Sequence, residues 1–182
     1  MNVLLHTCCA PCATQCVTVL RELGHVVTLF FSNANIAPQA EYLRRLDAVQ
    51  TLASRWTLPL VIDETSHNDW LAHVAAGFEA EPERGARCGR CFRYSLSRAH
   101  RFVEEQGFDA FTTSLTISPH KPSSLIFEIA RSLGGSCFWE LDFKRNDGFR
   151  QSVRLAAEMN LYRQTYCGCE FSAGHSAVTQ KC

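Results

Sequence analysis

No stretch of this chain approaches 18 consecutive apolar residues, so nothing in it reads as a membrane-spanning helix. Its start, Met1-Asn2-Val3-Leu4-Leu5-His6, lacks the basic segment and long apolar core of a secretory signal. It also lacks net charge. Lysine plus arginine number 18 and aspartate plus glutamate 18, which excludes a globally basic, histone-like nucleic-acid binder. Internal repeats, low-complexity runs and composition shifts are missing, so the 182 residues read as one domain. Disorder is excluded by an apolar fraction of 46%. Lysine is scarce, 15 of the 18 basic residues being arginine. The expectation is a single cytoplasmic α/β domain acting as a monomer, with residues 173–182 as a variable tail.

Against these absences stand ten cysteines. A reducing compartment does not maintain structural disulfides, so cysteines there read as metal ligands or redox thiols. Cys8, Cys9, Cys12 and Cys16 lie near the start. Cys88 and Cys91 form a CxxC, and Cys167 and Cys169 a CxC. Cys137, inside Ser136-Cys137-Phe138-Trp139, reads as core, and Cys16 as a helix-face residue one turn after Cys12. Cys182 is terminal and is expected to fray.

Short apolar runs at Asn2–His6, Val26–Phe31, Leu60–Asp63, Ala110–Leu115 and Cys137–Leu141 read as five buried strands. Between them lie helical patterns. One runs from Pro11 to near Gly24. Glu41–Trp56 carries a stripe of Leu43, Leu46, Val49, Ala53 and Trp56. Cys91–Gln106 carries Phe92, Leu96, Ala99 and Val103, with Gly107 as its stop. Pro122–Leu133 stops at Gly134-Gly135, and Phe149–Asn160 closes the series. A short helix is expected around Trp70–Ala76. Strands alternating with helices give a mainly parallel sheet of about five strands in a Rossmann-like three-layer domain of the HUP type. Ligands bind at the C-terminal edge of such sheets. Cys8, Cys9 and Cys12 follow the first strand, and helix starts such as that at Cys88 and Cys91 point to the same edge. Three cysteine groups, each separated by about 80 residues, can therefore meet there.

Four thiolates from a CxxC and a Cys-Cys pair suit tetrahedral zinc or an iron–sulfur cluster. Placement on the functional edge favours a working centre over a structural one. Gly168 between Cys167 and Cys169 permits unusual backbone angles, so the pair can form an easily reduced disulfide or bind a second metal. Tyr94, His120 and Asp142 are candidate proton donors by loop position. Arg84, Arg87, Arg90, Arg93, Arg98 and Arg101 surround the CxxC and its helix, and arginine suits phosphate contacts.

Several stretches together carry a family likeness: His6-Thr7-Cys8-Cys9-Ala10-Pro11-Cys12, Asn33-Ala34-Asn35-Ile36-Ala37-Pro38 with Glu41-Tyr42-Leu43-Arg44-Arg45, Arg87-Cys88-Gly89-Arg90-Cys91-Phe92-Arg93, Phe111-Thr112-Thr113-Ser114-Leu115 with Ser118-Pro119, Asp142-Phe143-Lys144, and Leu161 through Ser172 with Tyr166-Cys167-Gly168-Cys169. The chain resembles the QueH-type epoxyqueuosine reductases over about residues 3–172. The resemblance implies reduction of epoxyqueuosine to queuosine at the tRNA wobble position, a tRNA anticodon loop as partner and a low-potential electron donor. It places a [4Fe-4S] cluster on Cys8, Cys9, Cys88 and Cys91 and a redox pair on Cys167 and Cys169. It leaves room for a second, mononuclear iron, with Cys12 and the Cys167/Cys169 pair as candidate ligands. Two other readings compete: a zinc-stabilised RNA-binding domain, and a thiol-redox or tRNA sulfur-transfer enzyme. No Ser-Gly-Gly-x-Asp-Ser pyrophosphate loop follows the first strand, which argues against ATP use.

Overall fold

The computed structural model describes residues 1–133 and 136–173. The Gly134-Gly135 stop, Cys182 and the tail beyond residue 173 lie outside the described residues. Four strands, β1 (Asn2–His6), β2 (Val26–Phe31), β3 (Leu60–Ile62) and β4 (Ala110–Thr113), form a parallel sheet in the order β3-β2-β1-β4. The fifth strand expected at Cys137–Leu141 is reduced to one parallel bridge between Phe111 and Phe138. The chain there is held instead by single bonds, Phe111 N–H to Cys137 O and Trp139 N–H to Phe111 O, both 2.8 Å.

Helices cover both faces, as apolar, doubly buried parallel strands require. α1 (Ala10–Glu22), α2 (Gln39–Arg55) and α6 (Gly148–Glu158) pack on one core with Leu5, Leu29 and Phe31. α4 (Ala86–Gln106) and α5 (Ser123–Ser132) pack on the other with Leu4, Phe30 and Phe111. Successive strand side chains alternate between these cores, which is the period-two rule at work. A short α3 (His67–Trp70) runs into a π-helical turn, Leu71–Ala75, and α7 (Glu170–Ala173) ends the described chain. No helix among the described residues is long and apolar enough to cross a membrane.

α4 buries Phe92, Leu96, Ala99 and Val103 as its periodicity predicts, and it ends on Gly107 at φ +70°, with its N–H on Val103 O. It begins five residues earlier than expected, so the CxxC lies inside its first turns. α2 keeps most of its expected stripe: Val49 and Ala53 are buried, and Leu46 and Trp56 pack against the same core. Leu43 is the exception and is exposed, and the buried face extends to Glu41 and Arg45. Arg45 there reaches the segment carrying Cys167, a charged pair that the apolar pattern did not show.

The strand order steps outward from β1 in both directions, to β2 on one side and β4 on the other. The gap beyond the C-terminal ends of β1 and β4 is the topological switch point, where this architecture opens a crevice.

Candidate functional site

Cys8 and Cys9 stand at that switch point, directly after β1. Cys8 N–H donates to Ser114 Oγ at 3.0 Å, and the Ser114 hydroxyl donates to Cys8 Sγ at 3.3 Å, which couples the ends of β1 and β4. Cys9 caps α1, its sulfur accepting from Cys12 N–H at 3.4 Å. The sulfurs of Cys8, Cys9 and Cys12 all lie within 4.8 Å of one another, a group able to hold a metal ion. Gln164 Nε2 donates to Cys9 Sγ at 3.0 Å. Cys12 therefore belongs to the site, whereas Cys16 is fully buried in the core and Cys137 half-buried beside it.

Cys88, Cys91, Cys167 and Cys169 line a second, adjoining cavity at the start of α4. His120 and Lys121 line it from the loop before α5. The Lys121 ammonium is the link between the two thiol groups. Burial opposes its charge, but the sulfurs of Cys8, Cys167, Cys12 and Cys9 outweigh burial and hold its pKa above the ordinary lysine value. Sequence reasoning weighed His120 and passed over its neighbour. No local signal marked the difference: His120 is exposed and accepts from Arg84 Nη2 at 3.0 Å, while Lys121 is half-buried.

The thiols are far from uniform. Hydrogen bonds from Cys12 and Cys9 pull the Cys8 pKa well below the ordinary thiol value, against the effect of burial. Burial pushes Cys9 up to about 12, and the hydrogen bond given to Cys8 raises Cys12. One thiolate is thus stabilised by two protonated neighbours, and further deprotonation needs a cation. Burial, then the Cys167 charge, pushes Cys91 up to about 12. All nine described cysteines are free.

The CxC segment is held by a buried ion pair. Arg45, 3% exposed, donates through Nε to Glu41 at 2.7 Å, and through Nη1 and Nη2 to the carbonyls of Cys167 and Tyr166 at 2.9 and 3.1 Å. Tyr162 Oη donates to Glu41 at 2.8 Å. Gly168 sits at φ +114°, and a Cβ there would lie 2.9 Å from Arg45 Nη1.

The six arginines around the CxxC serve different ends. Arg87 is 1% exposed and gives Nη1 to the carbonyls of Phe78, Glu79 and Glu81, folding the 78–85 loop onto α4. Arg90 binds the carbonyls of His73 and Val74. Arg98 pairs with Asp63. Arg84 meets His120, Arg101 lies 3.7 Å from Glu105 on the exposed face of α4, and Arg93 is exposed without a hydrogen bond or ion pair among the described residues.

The other expected proton donors occupy distinct places. The Asp142 carboxylate accepts from Ser123 Oγ at 3.0 Å and pairs with Lys144 at 3.4 Å. Lys144 Nζ donates to Ser123 Oγ, Thr116 O and Lys121 O at 2.6, 2.9 and 3.2 Å, which braces the loop that presents Lys121. Tyr94 packs beside Trp70, Val74 and Cys169.

Two buried donors aim at the thiols. Trp70 Nε1 and Arg87 Nε make no well-formed hydrogen bond among the described residues, yet the Trp70 indole and the Arg87 guanidinium sit close enough to Cys91 and Cys169 to favour their thiolates against burial. Such donors call for an anionic acceptor. A thiolate-ligated cluster carries negative charge and acceptor sulfur, so donors and thiols together fit an iron–sulfur group.

The chain matches the family model for epoxyqueuosine reductase QueH over residues 3–175. It is 37% identical to the epoxyqueuosine reductase QueH of Streptococcus pyogenes serotype M1 over 181 residues, 94% of this chain and 70% of that one. The Thermotoga maritima protein of the same name is 33% identical over 179 residues, 94% of this chain and 90% of its own. That of Acinetobacter baylyi is 33% identical over 175 residues, 94% and 80%. With its three cysteine motifs gathered at one sheet edge, the chain belongs to the QueH family of epoxyqueuosine reductases.

Proposed function

We propose that this protein reduces epoxyqueuosine to queuosine in tRNA, with a [4Fe-4S] cluster on Cys8, Cys9, Cys88 and Cys91 and a redox pair in Cys167 and Cys169. The observation that carries the reading is that Cys8, Cys9 and Cys12 cluster at the switch point while Cys88, Cys91, Cys167 and Cys169 line the cavity beside it, with the Lys121 ammonium facing sulfurs of both groups. When bound, the cluster supplies electrons singly from a low-potential donor.

The chemistry breaks both C–O bonds of the epoxide, forms a C=C bond and releases the oxygen as water, consuming two electrons and two protons. Oxidation of the Cys167 and Cys169 thiols to a disulfide yields two electrons and two protons, which matches that demand, and the donor restores the dithiol. Gly168 gives the pair the backbone freedom this needs. His120, at the solvent side of the cavity, brings in a proton, and Lys121 offsets the developing alkoxide charge. Asp142 acts through Lys144 by holding that loop in place, and Tyr94 packs behind Trp70 and Cys169. The alternative to this disulfide cycle is that Cys167 and Cys169 stay as thiolates and would hold a second, mononuclear iron with Cys12.

The substrate base reaches the cavity splayed out of its loop, as single-stranded RNA is normally read. Anaerobic purification tests the cofactor. The protein should be brown, with about four irons and matching sulfide, and Cys88→Ser and Cys91→Ser should each lose the cluster. Stoichiometric zinc without sulfide would overturn the assignment and favour a zinc-stabilised RNA-binding domain.

A further inference from the structure

We propose that the outward face of α4 is a phosphate track for the RNA strand flanking the base in the thiol cavity, with Arg93 and Arg101 as its contact residues. This rests on the tRNA substrate proposed above, which brings phosphodiesters to either side of the reacting base.

α4 carries the CxxC in its first turns. Further along, Arg90, Arg93, Tyr94, Ser97, Arg98 and Arg101 recur at spacings of three and four, so they share one stripe of the helix. The stripe and His73 line a groove of about 460 Å³. One end of the groove lies behind the thiols, because Val74 and Tyr94 on its wall pack against Trp70, Cys91 and Cys169. From Arg90 to Arg101 the helix rises about 16 Å, the length of a short stretch of backbone and too long for one phosphate.

The charge balance in the groove is positive. Arg98 is cancelled by Asp63. Arg90 spends its donors on the carbonyls of Val74 and His73, which orient the guanidinium and leave its charge uncompensated. Arg93 is exposed and makes no hydrogen bond or ion pair among the described residues. Arg101 lies 3.7 Å from Glu105, both largely exposed, a link worth little and readily exchanged for a phosphate. Asp69 is the other carboxylate near Arg98, and it does not offset both Arg90 and Arg93. The result is a local anion track on a neutral protein, and guanidinium forks suit phosphate oxygens. Such contacts position the strand and carry no base preference.

The test uses the full, cluster-loaded chain, a fluorescent anticodon stem-loop RNA, and Arg93→Gln, Arg101→Gln and the double variant. Arg154→Gln is the control, a largely exposed arginine on α6 in the opposite helix layer. Each groove substitution should weaken binding severalfold and lower the slope of log affinity against log salt by about one. With epoxyqueuosine-tRNA, KM should rise while kcat stays near the wild-type value. Arg154→Gln should change nothing. Wild-type affinity and salt slope in the double variant would overturn the proposal, and so would an equal loss in Arg154→Gln. A wild-type protein that binds RNA through these arginines and leaves the epoxide intact would instead overturn the proposed reaction and leave the phosphate track standing.

Discussion

Arg45→Ala should loosen the redox pair without touching a thiol. Arg45 and Glu41 are 3% and 6% exposed, and their side chains meet at 2.7 Å. Removing one partner of a buried pair costs about 3–5 kcal/mol, and Glu41 would keep only the Tyr162 hydroxyl at 2.8 Å and the exposed Arg44 at 3.8 Å. The substitution also removes both donors to the carbonyls of Tyr166 and Cys167. The three interactions share one guanidinium, so their costs do not add. A loss of about 4 kcal/mol is expected, a large share of the roughly 5–15 kcal/mol that holds a domain. Urea unfolding of the metal-free protein measures it. The second readout is local: the rate of Cys167 alkylation, followed by mass spectrometry, should rise well above wild type because the 166–168 segment loses its anchor. Glu41→Gln combined with Arg45→Met removes both charges and should recover part of the stability, with Cys167 still fast to react. A cost below about 1 kcal/mol and an unchanged Cys167 rate in Arg45→Ala would refute the claim that this pair positions the CxC.

Three further outcomes follow from the same geometry. Gly168→Ala forces a Cβ into Arg45 Nη1 at 2.9 Å and Ile36 at 3.1 Å, at φ +114°, so it should destabilise by about 1–3 kcal/mol in urea unfolding. The metal-free protein should lose stability steeply above about pH 9. Cys9 and Cys91 stay protonated to about 12 in the fold, Cys12 and Cys16 are raised as well, and the unfolded chain ionises these thiols near 9.0, so unfolding releases protons there. Cys8, lowered in the fold, has the opposite sign: its contribution is complete above 9.0 and fades as pH falls. Thermal melts from pH 7 to 11 check both, and a flat profile above pH 9 contradicts the reasoning. Trp70→Phe keeps the apolar body and removes the indole donor, so the cluster's reduction potential should become more negative in a redox titration followed by electron paramagnetic resonance.

Much of the fold was legible in the sequence because its signals are local. Apolar runs marked β1, β2 and β4, and Gly107 marked the end of α4 through a left-handed cap that a glycine adopts freely. The expected fifth strand shrank because pairing depends on its neighbours: Phe138 makes one bridge, and the chain beyond it is held by the Thr112 and Thr116 hydroxyls rather than by a ladder. The stripe of α2 holds at Val49 and Ala53 and fails only at Leu43, and it missed the charged part of the buried face. Leucine and valine define an apolar face only when apolar residues fill it, and here Glu41 and Arg45 are buried to hold a segment about 120 residues away. Their spacing of four was the available sign of an ion pair, with nothing local to say that it was buried. The cysteine motifs were visible as types and spacings, and the βα architecture placed them at one edge. Which thiol neighbours which was not visible, and neither was the inward turn of Lys121. The arginine run around the CxxC looked uniform in sequence. Its members separate only once Arg87 is seen to spend its guanidinium on three loop carbonyls while Arg93 stays open to solvent.

The most direct measurement is a single assay. Cluster-loaded protein, prepared anaerobically, is incubated with epoxyqueuosine-containing tRNA and a low-potential reductant, and the nucleosides are analysed by mass spectrometry. The account predicts that epoxyqueuosine loses the mass of one oxygen and becomes queuosine, and that Cys167→Ser and Cys169→Ser abolish turnover while retaining the cluster's iron and sulfide. An unchanged nucleoside mass with a fully loaded cluster would contradict it.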